Sequence, residues 1–172
     1  AESLDHVGPM ARSARDAAAL LGAIAGADPA DPTAASVPVP DYLAEIDAGI
    51  AGVTIGIDRD FIAAKATAEV AASIEAVIPV LDLLGARFVP VSFPEVRDIL
   101  YGWHTECSVE AALAHRETFP SRRADYGERL SALLDHGARV TAFDLAEAQR
   151  ARRAFNGAVA AMFAPIDLFL VP

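Results

Sequence analysis

The sequence has few cationic side chains, with 14 lysines and arginines against 24 aspartates and glutamates in 172 residues. The resulting net charge of −10 repels a phosphate backbone. Nucleic acid and an anionic membrane surface are therefore not expected as partners. Lys65 is the only lysine in the chain.

Cysteine is also scarce, since Cys107 stands alone. A single thiol excludes an internal disulfide and argues against a cysteine-based zinc site, so we predict no metal and no cofactor. No apolar run approaches the ~20 residues of a membrane span, and residues 1–11 lack the basic region of a signal peptide. Because 53% of the residues are hydrophobic, we expect the chain to be a piece of one domain with a sizeable core. We also expect a cytoplasmic location.

The motifs of several enzyme classes are missing. No Gly-Gly pair, phosphate-binding loop or G-x-S-x-G turn occurs, and the eight serines are interpreted as helix caps and helix-surface hydroxyls. His104 and Cys107 have a spacing that metals use, but without a second pair we interpret them as ordinary helix residues. Asp58 and Asp60 are predicted in a solvated loop, and Asp82 on the polar side of a helix. From the residues alone, the chain contains no complete active site.

A strand–helix–strand unit is the clearest structural signal. A β-rich run at 53–57 precedes a helical pattern at 66–84, which Gly85 ends before a second strand at 86–91. This order predicts two parallel strands joined by a right-handed crossover. The apolar face of this helix continues on both sides of Pro79. Its expected members are Val70, Ile74, Val77, Ile78, Leu81 and Leu84.

The remaining elements are predominantly helical. Ser13 is predicted to cap a first helix that ends at Gly26, and an extended, proline-rich connection follows. Further helices are predicted from a cap at Asp41 to near Gly49 and at 95–119, 121–137 and 143–163. A final strand at 167–171 is expected to be buried on both faces. These elements predict an α/β fold with one mixed sheet and helices on both faces.

The first block of the chain is a specific motif, Ser3-Leu4-Asp5-His6-Val7-Gly8-Pro9-Met10. Later blocks follow it in a fixed order, at residues 11–13, 16–18, 24–28, 31–32, 52–56, 84–86, 148–152 and 167–172. Together these blocks resemble the carboxyl-terminal portion of the amidase signature family. The resemblance covers nearly the whole chain and implies a single piece, 1–172, of an amidase signature domain.

What the resemblance implies is a serine hydrolase that acts on a carboxamide. The family uses a Ser–cis-Ser–Lys triad, with glycine-rich backbone amides as the oxyanion hole. Both precede the Ser3 block in the family, so the catalytic residues are expected upstream of this chain. Lys65 lies far downstream in a predicted loop and cannot be the triad lysine. We therefore predict that the chain alone is inactive, and that its ends, 3–10 and 168–171, are well ordered only when the upstream half packs on them.

The resemblance also implies candidates for substrate binding. The helix after the βαβ unit helps line the acyl funnel in the family, and here it carries Trp103 and Cys107, together with Glu110 and His115. Arg152 matches an arginine that faces the substrate carboxylate in the glutamine-using subfamily. Core packing remains the alternative for Trp103 and Cys107, and helix packing the alternative for Arg152. Asp5 is expected to hold its loop near the nucleophile loop without taking part in the chemistry.

Three functions stay open from the sequence. The leading one is hydrolysis of small or aryl amides. The expected partner is the upstream half of the same enzyme, and a homodimer is possible. The second is the transamidation subunit that supplies ammonia for a tRNA-bound substrate, against which His6 argues because that subfamily typically has glutamine there. The third is a non-catalytic α/β scaffold.

Overall fold

The computed structural model describes residues 3–31 and 33–172, and it divides into two compact units, Ala1–Gly49 and Ile50–Pro172. In the first unit, helix α1 spans Ala14–Ile24. The Ser13 hydroxyl accepts a hydrogen bond from the Asp16 N–H, which confirms the predicted cap.

The helix predicted from Asp41 to Gly49 is wrong. The Asp41 carboxylate accepts from the Leu43 N–H at 2.9 Å, and the backbone bonds that follow join residues three apart. An aspartate bonded two residues along its own chain stabilises turns in competition with a helix. No helix or strand occurs at 27–31 or 33–40, as predicted, while Pro32 of that connection lies outside the described residues.

The second unit contains a parallel sheet. Its strands are β1 (Thr54–Ile57), β2 (Arg87–Pro90) and β3 (Leu168–Leu170), in the order β2-β1-β3. Both pairings are parallel in the described part of the chain, where a mixed sheet was expected. The reason is that helices connect the strands, so that the chain re-enters the sheet from the same end each time.

Helices α2 (Arg59–Lys65) and α3 (Ala68–Leu83) follow β1, with Pro79 inside α3. The βαβ prediction is confirmed, but α2 was not predicted. Lys65 consequently lies in the last turn of a helix, not in a loop. The buried row of α3 runs through Ile74 and Ile78, whereas three residues of the predicted stripe are more than a third exposed: Val70, Val77 and Leu84.

The remaining helices are α4 (Arg97–Ala114), α5 (Glu128–Gly137) and α6 (Ala142–Phe163). The predicted helix at 121–137 starts too early, because residues 123–125 form a 3₁₀ turn and Gly127 precedes α5. Ser108 and Ser131 are buried, so their interpretation as surface hydroxyls is wrong. Among the described residues, no helix is both long enough and apolar enough to span a membrane.

The two faces of the sheet pack against different helices. On one face, Ile57 packs with Ile62 and with Ile74 of α3. On the other face, Phe169 of β3 stacks on Phe93 at 5.2 Å between ring centroids, and Phe93 meets Phe155 of α6 edge to face. Helices therefore cover both faces, as predicted.

The final strand, β3, belongs to the sheet but is not buried on both faces. Leu168 is 53% exposed, and β3 is an edge strand in the order observed for the described residues. Asp167 fixes its start, since its backbone N–H donates to the Thr54 carbonyl and its carboxylate accepts from the Thr54 N–H at 2.8 Å.

Candidate functional site

Helices α4 and α6 cross closely at Gly102 and Ala148. A Cβ atom at Gly102 would lie 3.3 Å from the Ala148 Cα, so only glycine permits this approach without movement. Glu106 and Arg152 lie four residues further along their helices, on the same faces. The crossing therefore brings together two side chains that are 46 residues apart in sequence.

The Arg152–Glu106 pair is a partly buried ion pair. Arg152 Nη1 donates to Glu106 Oε2 at 3.1 Å, with the glutamate side chain 5% exposed and the arginine side chain 34% exposed. A carboxylate at this depth requires a cationic partner, because an unpaired buried charge is strongly destabilising. Helix packing, the alternative that the sequence left open for Arg152, is thus one role that the geometry supports.

Trp103, Cys107 and Glu110 share one face of α4, since they are four and three residues apart. Trp103 is 51% exposed, which does not fit the core alternative for this side chain. Cys107 and Glu110 are half-buried. This face of α4 therefore presents an indole and a thiol together with a carboxylate.

The histidines of this unit have other neighbours. The His115 Nδ1 atom is 3.1 Å from the Tyr126 hydroxyl, and the two rings meet edge to face. The His104 and His136 rings are 5.0 Å apart between centroids. Over residues 3–31 and 33–172, no three histidine, cysteine or acidic side chains form a group that could hold a metal.

Asp5 and His6 belong to the amino-terminal unit, in an exposed segment without helix or strand. The His6 Nδ1 atom is 2.9 Å from the Leu4 carbonyl oxygen. The expected role of Asp5 beside a nucleophile loop stays a prediction.

Sequence reasoning missed two carboxylates. Glu106 carries no motif, and only its i+4 spacing from Gly102 places it on the buried face of α4. Asp58 was expected in solvent, but its two oxygens accept from the Phe61 N–H at 2.9 Å and from the Phe93 N–H at 2.7 Å. Asp58 thereby caps α2 and holds the segment after β2, which makes it a structural residue.

A cavity of about 390 Å³ lies along the α4–α6 groove beside the Gly102–Ala148 crossing. Its lining residues are Arg97, Asp98, Tyr101, Gly102, Glu147, Ala148, Arg150 and Ala151. Trp103, Cys107 and Arg152 are not among them, so the candidate substrate residues do not line this groove.

Comparison with known proteins identifies the family. The amidase family model matches residues 1–172, so the chain belongs to the amidase family. It is 35% identical over 170 residues to an amidase of Pseudomonas putida, covering 99% of this chain and 36% of that protein. It is 41% identical over 112 residues to a glutamyl-tRNA(Gln) amidotransferase subunit of Acidobacterium capsulatum, covering 65% of this chain and 24% of that protein.

A solved structure shares the fold. It is a bacterial aryl acylamidase of the amidase signature family, with a TM-score of 0.80 and 24% identity, covering 96% of this chain and 36% of that one. The chain therefore spans about a third of the length of the relatives it matches. The family resemblance noted in the sequence is confirmed.

Proposed function

We propose that this chain is the carboxyl-terminal part of an amide hydrolase whose nucleophile lies in the preceding region. The family match over residues 1–172, at about a third of the length of the relatives, is the observation that carries the proposal. The only lysine, Lys65, is exposed at the end of α2, and this placement supports an upstream origin for the Ser–cis-Ser–Lys triad.

The proposed reaction converts a carboxamide into a carboxylate and ammonia or an amine. The upstream serine oxygen attacks the amide carbon, the amine leaves with a proton, and water then releases the acid from the acyl-enzyme. This chain would supply one wall of the acyl site through Trp103 and Cys107, with Arg152 as a further substrate-binding candidate. The proposed substrate is a small or aryl amide, and the proposed location is the cytoplasm.

A transamidation subunit is the second candidate. The identity of 41% to the glutamyl-tRNA(Gln) amidotransferase chain favours it over the matched 112 residues. His6 argues for the hydrolase instead. Ammonia release from glutamine, compared with release of aniline from an anilide by the complete protein, separates the two candidates.

A fluorophosphonate probe tests the location of the nucleophile. In the complete protein we expect serine labelling that an amide substrate slows, and in the 172-residue chain alone we expect none. Heat-denatured complete protein is the control for nonspecific labelling. Serine labelling of the folded 172-residue chain would contradict the proposal.

A further inference from the structure

We infer that His104 of α4 and His136 of α5 together bind one divalent transition-metal ion of the class that prefers imidazole ligands, such as Zn²⁺. The sequence pairs His104 only with Cys107, whereas the fold brings a second histidine to it from another helix. The inference departs from the sequence expectation of no metal, and it does not depend on the proposed function.

The separation of the two imidazole rings suits two ligands of a single ion. Their centroids are 5.0 Å apart, and their planes are inclined by 47°. A Zn–N bond of about 2.0–2.1 Å places the centroid of each ligating ring about 3.2 Å from the metal. With a tetrahedral angle at the metal, two such centroids lie about 5.2 Å apart. Both rings are exposed, so rotation about the Cβ–Cγ bond can turn a nitrogen of each toward a shared ion.

The ring nitrogens of this pair are available to a ligand. Within residues 3–31 and 33–172, neither His104 nor His136 forms a side-chain hydrogen bond, whereas the Nδ1 atoms of His6 and His115 each lie within 3.1 Å of an oxygen. Hydrogen bonds with Thr141 lower the pKa of Asp144 most and the charge of His136 lowers it further, so a carboxylate lies within electrostatic range of the pair. Its negative charge favours a cation at this position.

The contact between α4 and α5 holds the two histidines at this spacing. Gly137 follows His136 directly, and a Cβ atom there would overlap the carbonyl of Ser108, which lies one turn along α4 from His104. Because packed helices position both ligands, the second imidazole acts at a high effective concentration once the first has bound the ion. No third histidine, cysteine or acidic ligand joins the pair in the described part of the chain, so water completes the coordination.

Calorimetric titration of the complete protein with ZnCl₂ tests the site. His104→Asn and His136→Asn should each weaken the binding of one ion about a hundredfold, because a single imidazole no longer chelates it. The double variant should lose no more than either single variant, since both histidines hold the same ion. Additive losses would show two separate ions and overturn the inference.

Two controls accompany the titration. His6→Asn removes another exposed histidine and should change Zn²⁺ affinity less than twofold. MgCl₂ should not replace ZnCl₂, because Mg²⁺ prefers oxygen ligands. Thermal unfolding without metal establishes that each variant is folded. Folded His104→Asn and His136→Asn proteins that bind Zn²⁺ like wild type would overturn the inference.

Modification of the wild-type protein by diethyl pyrocarbonate tests the site without any substitution, and it decides alone if the variants do not fold. Peptide mass spectrometry then measures the modified fraction of each histidine. Zn²⁺ should protect His104 and His136 with the same midpoint concentration and leave His6 reactive. Protection of only one of the two, or equal modification of both with and without Zn²⁺, would contradict a shared ion.

Discussion

Arg152 matters to stability at the scale of a single residue, because its guanidinium faces a carboxylate that is almost fully buried. Arg152→Ala leaves the Glu106 charge inside the α4–α6 contact without its cation. We expect the free energy of unfolding to fall by about 3 kcal/mol, measured by urea denaturation. An effect on substrate preference alone, with stability spared, is not expected from this geometry.

Arg153→Ala is the matched control, since Arg153 is the exposed neighbour on the same helix. Its effect should stay within about 0.5 kcal/mol. Replacing both members of the pair, as in Glu106→Leu with Arg152→Met, should recover much of the lost stability because no unpaired charge remains. Equal losses in Arg152→Ala and Arg153→Ala would show that the buried pair contributes little.

At the scale of the helices, we expect alanine substitution of two different glycines to change the free energy of unfolding in opposite directions. A Cβ at Gly137 of α5 would overlap the Ser108 carbonyl of α4, whereas Gly157 of α6 has nothing within 4 Å. Gly137→Ala should lower the free energy of unfolding by about 3 kcal/mol through forced separation of the helices.

Gly157→Ala should raise the free energy of unfolding by up to about 1 kcal/mol, because alanine restricts the unfolded chain and favours the helix. Urea denaturation of the two variants side by side provides the measurement. A loss of similar size in both variants would contradict the close contact between α4 and α5.

The start of α6 predicts a dependence on pH. Thr141 and Asp144 form a reciprocal capping box, and the hydrogen bond from the Thr141 side chain lowers the pKa of Asp144. Because the folded pKa lies below the unfolded one, this contribution is full above the unfolded pKa near 4 and disappears as the pH falls through the folded pKa.

We therefore expect wild type to exceed Asp144→Asn in stability at pH 6, with a difference that shrinks as the pH falls below the unfolded pKa near 4. Thermal unfolding across this range measures it. Thr141→Ala should also be less stable than wild type at pH 6, with a difference that shrinks at low pH. The substitution removes the hydroxyl that donates a hydrogen bond to the Asp144 carboxylate. A difference between wild type and Asp144→Asn that is constant with pH would contradict the role of the carboxylate charge.

Local patterns explain which elements could be predicted. The βαβ unit and the cap at Ser13 depend on residues that are close together in the chain, so local sequence patterns are enough to predict them. The helix expected after Asp41 failed because an aspartate supports a turn as readily as a helix start. The Glu106–Arg152 pair could not be predicted, because a helix crossing brings the two residues together and no local motif encodes it.

At the scale of the whole molecule, the buried apolar residues lie in one unit. Among the described residues, every buried hydrophobic side chain lies at Ile55 or beyond, and α1 buries none. We expect residues 50–172 expressed alone to unfold cooperatively, with a urea midpoint close to that of the 172-residue chain. Loss of the cooperative transition would show that residues 1–49 contribute to the core.

The parallel pairing of β1 with β3 also has a consequence for synthesis. Thr54 and Asp167 are 113 residues apart, so this edge of the central strand lacks its β3 partner until 113 further residues have been synthesised. At roughly 5–20 residues per second, that interval is roughly 6 to 23 s. During it, β1 can pair with β2 only after residue 90 has been synthesised, and the edge that β3 later occupies lacks that strand. Ribosome-associated chaperones would therefore be most useful to this protein in the interval before residue 167 emerges.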